Sequence, residues 1–101
     1  MNAPVVALPS FDELREYVRR ALCERERLDP DQATFRQARI RRGERTCGLF
    51  FLMLGPHQQR YFALWSGDEH RLLFYDATGN RFREVRLSDA PDPEACDLRA
   101  A

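Results

Sequence analysis

The sequence predicts an α+β domain in which an N-terminal amphipathic helix packs on a five-strand antiparallel meander, flat or curled. Two observations predict it. Apolar residues recur every three or four positions as far as Leu28, and every second position from Thr34 onward. Clusters of Gly, Pro, Asp and Asn then break the second region into short runs, the punctuation expected of consecutive hairpins. A length of 101 residues fits one domain with one modest core, and no repeat divides it.

Residues 1–9 read as a loose N-terminal arm, and the helix is expected over 10–28. Ser10 is a good N-cap and Glu13, three residues on, completes a capping box. Asp12 and Glu13 also lie at the positive end of the helix dipole. Phe11, Leu14, Val18, Ala21, Leu22 and Leu28 form one apolar stripe, and Glu16 can pair with Arg20 one turn later. The Asp29-Pro30 step is expected to stop the helix, because the residue before proline is pushed out of the α region.

The antiparallel sheet is expected over 34–88. "TFRQARIRR" alternates, with Ala38 and Ile40 on one face and Gln37, Arg39 and Arg41 on the other. Gly43-Glu44 is a hairpin corner leading into "TCGLFFLMLG", the most apolar strand. "GPHQQ", "GDEH" and "ATGN" turn the chain between "RYFALWS", "RLLFYD" and "RFREVRLS". Residues 89–101 form an acidic, proline-bearing tail, expected to be loosely ordered.

A structural problem follows from the alternation. Leu49, Phe51 and Met53 face one way and Phe50, Leu52 and Leu54 the other; Tyr61, Ala63 and Trp65 likewise oppose Phe62 and Leu64. The centre of the sheet is therefore apolar on both faces, whereas a sheet with one solvated face alternates cleanly between apolar and polar. One helix covers one face only. A second copy, another partner, a curled sheet, an apolar ligand or the termini must cover the other, and a second copy is the most economical. The expected interface is Phe50, Leu52, Leu54, Phe62 and Leu64, or the opposite set if the helix takes that side.

Charge and cysteine usage narrow the function classes. Hydrophobic residues at 44% and charged residues at 32% describe a soluble globular chain rather than a disordered one. The net charge is zero, so no global field draws the protein to nucleic acid or an anionic membrane. All 16 basic residues are arginine, scattered along the chain. Cys23, Cys47 and Cys96 are odd in number and widely spaced, fitting neither a disulfide framework nor a zinc site; a reducing cytoplasm is the expected compartment. No leader or membrane span is expected, and no cofactor or metal.

Three constellations carry candidate chemistry. Arg36, Arg39, Arg41, Arg42 and Arg45 form a basic run that could track phosphates, against which stands its alternative use as a charged edge strand. Cys47, His57, His70, Asp76 and Glu84 are the residues available to an enzyme. A helix followed by a meander with Arg, His and Tyr side chains resembles the outline of small bacterial ribonuclease toxins, which implies metal-free RNA cleavage. Cys47 opens a strand rather than a helix, and His57 and His70 lie at opposite ends of one strand, so neither supplies an activated nucleophile or a converging pair. No phosphate-cradling loop or dinucleotide fingerprint is present in the sequence.

"YDATGN", residues 75–80, has the composition of a turn: Asp76 accepts backbone hydrogen bonds and Gly79 supplies positive φ. It resembles the Y-D-D-A-T hairpin of small immunoglobulin-binding bacterial domains and one Y-D-x-x-G unit of Rhs-type repeats, likenesses confined to the turn. The wider succession Cys47-Gly48, Gly55-Pro56, Ala63-x-Trp65, Phe74-Tyr75 and Gly79-x-Arg81-Phe82 resembles short uncharacterised bacterial proteins of similar length. That resemblance implies a shared fold and no particular activity. The expectation is a small interaction module, self-associating or partner-binding through an apolar sheet face, with RNA binding through the Arg-rich strand as the alternative and RNA cleavage behind it.

Overall fold

The computed structural model describes residues 4–96. A sixteen-residue helix, α1 (Phe11–Glu26), lies on one face of a sheet built from β1 (Val5–Ala7), β2 (Thr34–Arg42), β3 (Arg45–Leu54), β4 (Arg60–Ser66), β5 (Arg71–Tyr75) and β6 (Arg81–Asp89). The strand order is β1-β6-β5-β4-β3-β2, an open sheet with β1 and β2 at its edges. Overall extents of 36 × 35 × 22 Å match two layers, one sheet and one helix.

The helix starts as its sequence requires. The Ser10 side chain accepts from the Glu13 N–H at 3.1 Å, and Asp12 and Glu13 occupy the first turn. Glu16 pairs with Arg19 at 2.9 Å and more distantly with Arg20 at 3.6 Å. The end differs from expectation. Arg27 adopts a left-handed conformation at φ 55, its N–H turning back to Cys23 and Glu24, and the Leu28 N–H donates to the Cys23 carbonyl at 2.9 Å. These bonds satisfy the last carbonyls and stop the helix at Glu26, before Pro30 can act. Pro30 instead opens a single 3-10 turn, Pro30–Gln32, capped by Asp29.

The sheet is mixed and has six strands, not five antiparallel ones. Residues 5–7, assigned from sequence to a loose arm, pair in parallel with β6: Val5 lies beside Arg86 and Val6 beside Leu87. Edge pairing satisfies backbone groups that a free arm would leave to water, and Val6 and Leu8 pack on the core. The four remaining pairings, β2 to β6 in sequence order, are antiparallel hairpins as expected. The C-terminal segment is also more ordered than expected. A 3-10 turn at Pro93–Ala95 leads Cys96 into the core, and the Cys96 carbonyl accepts from Arg39 at 3.1 Å. The rest of the expected tail, 97–101, lies outside the described residues.

Leu14, Val18, Ala21 and Leu22 of α1 bury against Leu49, Phe51, Met53, Ala63, Trp65, Leu72, Phe74 and Val85. Trp65 is fully buried, with Phe11 edge-on at 6.0 Å, so it serves the core. Gly48 is required where β3 meets β4. A side chain there would run into the backbone carbonyl of Trp65.

Candidate functional site

Directly paired residues on neighbouring strands share a face, so the register maps the side of the sheet that α1 does not cover. Its second row reads Arg36, Leu52, Phe62, Tyr75 and Arg81 across β2 to β6. The third row reads Ala38, Phe50, Leu64, Leu73 and Glu84. Thr34, Leu54 and Arg60 lie above, and Ile40, Gly48, Ser66, Arg71 and Arg86 below. The centre is thus apolar and the rim is mostly arginine.

Helix α1 chooses the face of Leu49, Phe51, Met53, Tyr61, Ala63 and Trp65, and so leaves Phe50, Leu52, Leu54, Phe62 and Leu64 together on the open one. Their flanks are shielded by strand neighbours on the same face, which makes each half-buried; their outer ends remain open. Leu73 and Tyr75 complete the patch, and the hairpin register that brings them alongside Leu64 and Phe62 is the signal that locates them. Phe62 and Tyr75 stack face to face at 4.6 Å and 11°, and Phe50 lies 5.7 Å from Phe62. The rings therefore stand upright on the sheet with their edges outward.

The rim is held by charge. Glu84 lies 3.5 Å from Arg71 and 3.7 Å from Arg81, while Arg71 also reaches Glu69 at 3.0 Å. Among the paired strand residues, five arginines (Arg36, Arg60, Arg71, Arg81 and Arg86) share this face with one carboxylate, Glu84, and Glu69 of the β4–β5 turn adds a second at Arg71. The acids Asp12, Glu13, Glu16 and Glu24 lie instead along a groove of about 550 Å³ beside α1, walled also by Tyr17, Arg20 and Arg83.

The basic run is divided. Arg36 faces the open side, and Arg39 turns to the helix side to hold Cys96. Arg45 is occupied by Asp68 at 3.1 Å and Glu94 at 3.6 Å. Arg41 and Arg42 are exposed at the hairpin end, beyond a bulge.

The residues available to an enzyme are equally dispersed. His57 sits in the β3–β4 turn and His70, at φ 54, in the β4–β5 turn, with the length of β4 between them. The Cys47 thiol points to the Ile40 carbonyl at 3.5 Å. Burial pushes the Cys23 thiol up, and the thiol donates to the Met53 sulfur at 3.6 Å. Asp76 organises its turn: its carboxylate accepts from the Thr78 hydroxyl at 2.7 Å and from the Thr78 and Asn80 N–H groups at 3.0 Å. The Thr78 hydroxyl first, then those backbone bonds, hold its pKa below the usual carboxylate value. Among the described residues no group of three or more His, Cys, Asp or Glu converges as a metal site. No described helix is long and apolar enough to cross a membrane.

No protein-family model, no curated protein and no solved structure matches the chain at a significant level.

Proposed function

We propose that this chain is an interaction module that works by burying the open face of its sheet against another protein. The observation that carries the reading is the row Leu52–Phe62–Tyr75 beside Phe50–Leu64–Leu73, an apolar field on a face that no described element covers. Removing the outer ends of these side chains from water is worth on the order of 1 kcal/mol apiece. Two adjacent rows of such groups make a contiguous patch of the kind that marks docking surfaces.

RNA is the second reading, favoured by the arginine rim of the same face. Base stacking, however, needs ring faces turned outward, and the face-to-face Phe62–Tyr75 pair turns its ring faces toward each other. Aliphatic Leu52, Leu64 and Leu73 suit a dry protein contact better.

The test uses an anionic apolar dye, anilinonaphthalene sulfonate, whose shape and charge suit a patch with an arginine rim. At high dilution the folded chain should bind it with enhanced fluorescence, and Leu64→Asp should abolish the signal while circular dichroism stays unchanged. Dye binding that survives Leu64→Asp, or that never occurs, overturns the reading. Labelled single-stranded RNA bound in a salt-sensitive way, and lost on Arg36→Glu, would establish the second one instead.

A further inference from the structure

We infer that the occupant of the open face is a second copy of this chain, related by a two-fold axis that lies in the interface, runs across the strands and passes between the two apolar rows. The inference rests on reading this face as a docking surface and adds to it the partner and the register.

The pattern of side chains selects this axis. It turns the second row of one copy onto the third row of the other, so that Leu52 meets the partner copy's Phe50, Phe62 meets Leu64 and Tyr75 meets Leu73. Each position in this field then sets an aromatic ring against an aliphatic side chain. At the β6 end, Arg81 meets Glu84 of the other copy, and the symmetry repeats that contact reciprocally. At the β2 end Arg36 meets Ala38, so its charge has no like charge opposite. One row out, Leu54 falls over Gly48, a large side chain over none.

The other in-plane axis, parallel to the strands through β4, is self-complementary in shape but not in charge. It would set Arg36 against Arg81 and leave Glu84 opposite Ala38. Like charges opposed across an interface select against that arrangement. Face-to-face sheets pack with strand directions within about 30° of each other, so the central columns meet as described and long Arg81 absorbs the offset at the edge. Five strands at ~4.8 Å and four rows at ~6.8 Å project roughly 650 Å² per copy, near the ~800 Å² per partner of a stable interface.

The experiment is a mixing test read by light scattering after size exclusion, across a wide concentration range. Wild type should form a dimer and no larger species, because a two-fold interface closes on itself. Arg81→Glu alone and Glu84→Arg alone each put like charges across both symmetric contacts, and each should weaken the dimer by roughly 100-fold. An equimolar mixture of the two variants should restore it, since the contacts between unlike copies become Glu to Arg again. The Arg81–Glu84 pair within one chain stays broken in both variants, so only a contact between copies explains rescue. These side chains are 47% and 33% exposed, so both variants should fold, which circular dichroism checks; should Glu84→Arg fail to fold, Glu84→Lys carries the same test.

A mixture that stays monomeric while wild type dimerises, with that dimer lost on Leu64→Asp, overturns the register but not the docking surface. A wild type that is monomeric yet binds the apolar dye overturns the second copy as occupant and keeps the surface. A monomer that binds no dye, or a dimer indifferent to Leu64→Asp, overturns both. Mass growing beyond the dimer overturns the two-fold.

Discussion

Ala63 and Leu64 are neighbours in the chain and should respond oppositely to the same substitution. Ala63 is fully buried beneath α1, and Leu64 stands half-buried on the open face. An aspartate at position 63 would have to stay neutral: lifting its carboxyl from about 4 to beyond 7 costs about 4 kcal/mol at neutral pH. Overfilling the site adds roughly 1–3 kcal/mol. The sum, about 5–7 kcal/mol, is comparable with the whole stability of a small domain, about 5–15 kcal/mol. Ala63→Asp should therefore leave the chain largely unfolded at room temperature. Leu64→Asp keeps its new carboxylate in water and loses only flank packing, about 1–2 kcal/mol, or roughly 5–15 °C in Tm. Thermal melts followed by circular dichroism at several protein concentrations, carried to high dilution so that face-to-face association does not contribute, decide the matter. If the two variants melt together, or if Leu64→Asp is the one that unfolds, α1 does not cover the face assigned to it and the map of the open face is wrong.

Two further outcomes follow from local geometry. Gly48→Ala should cost at least about 2–3 kcal/mol in urea unfolding, because the added carbon would press on the Trp65 carbonyl group, its carbon only 3.1 Å away, and backbone cannot swing aside as a side chain can; a midpoint within error of wild type refutes that close approach. Asp76, with its pKa held below the ordinary value of 3.8, contributes stability that is present above that value and is lost as pH falls through its lowered one. Asp76→Asn should therefore lower Tm near neutral pH and flatten the decline below about pH 4, whereas an acid limb parallel to wild type would place the carboxylate's bonds elsewhere.

What the sequence disclosed and what it hid follow from how much signal each element carries. The helix core, the four antiparallel pairings and the turn at Asp76 were legible because each repeats or caps a pattern over several residues. Strand β1 was not: three residues, Val5–Ala7, span less than two periods of alternation, and what places them is a backbone pairing with β6 over seventy positions away. The helix ends two residues before the Leu28 that Pro30 implies, because it stops at Arg27, an arginine in a conformation that glycine usually supplies. On the open face, alternation sorts residues into two sets, but nothing local says which set the helix will take; α1 presents a stripe that fits either. The rim was hidden for a different reason. Arg81 and Glu84 meet on one face only because a bulge at Phe74/Tyr75 adds a residue to β6, and a bulge is invisible to a strict period of two.

The distribution of charge also bears on which association the chain permits. An open sheet can join another molecule by its edge or by its face. Here the long edge, β2, carries Arg36, Arg39, Arg41 and Arg42 without an acid, so two such edges repel when laid side by side. The other edge is the three-residue β1 beside Arg86 to Asp89 and, past its end, the uncovered stretch of β6 from Arg81 to Val85, which carries the charges of Arg81, Arg83 and Glu84. The face has the opposite composition, leucines and aromatic rings at its centre with charge confined to the rim. A chain of zero net charge adds no global repulsion between copies, so contact chemistry alone sorts the modes. Edge contacts are penalised and face contacts rewarded, which makes the open face, and within it the Arg81–Glu84 contact that orients one copy on the next, the place where specificity would be set.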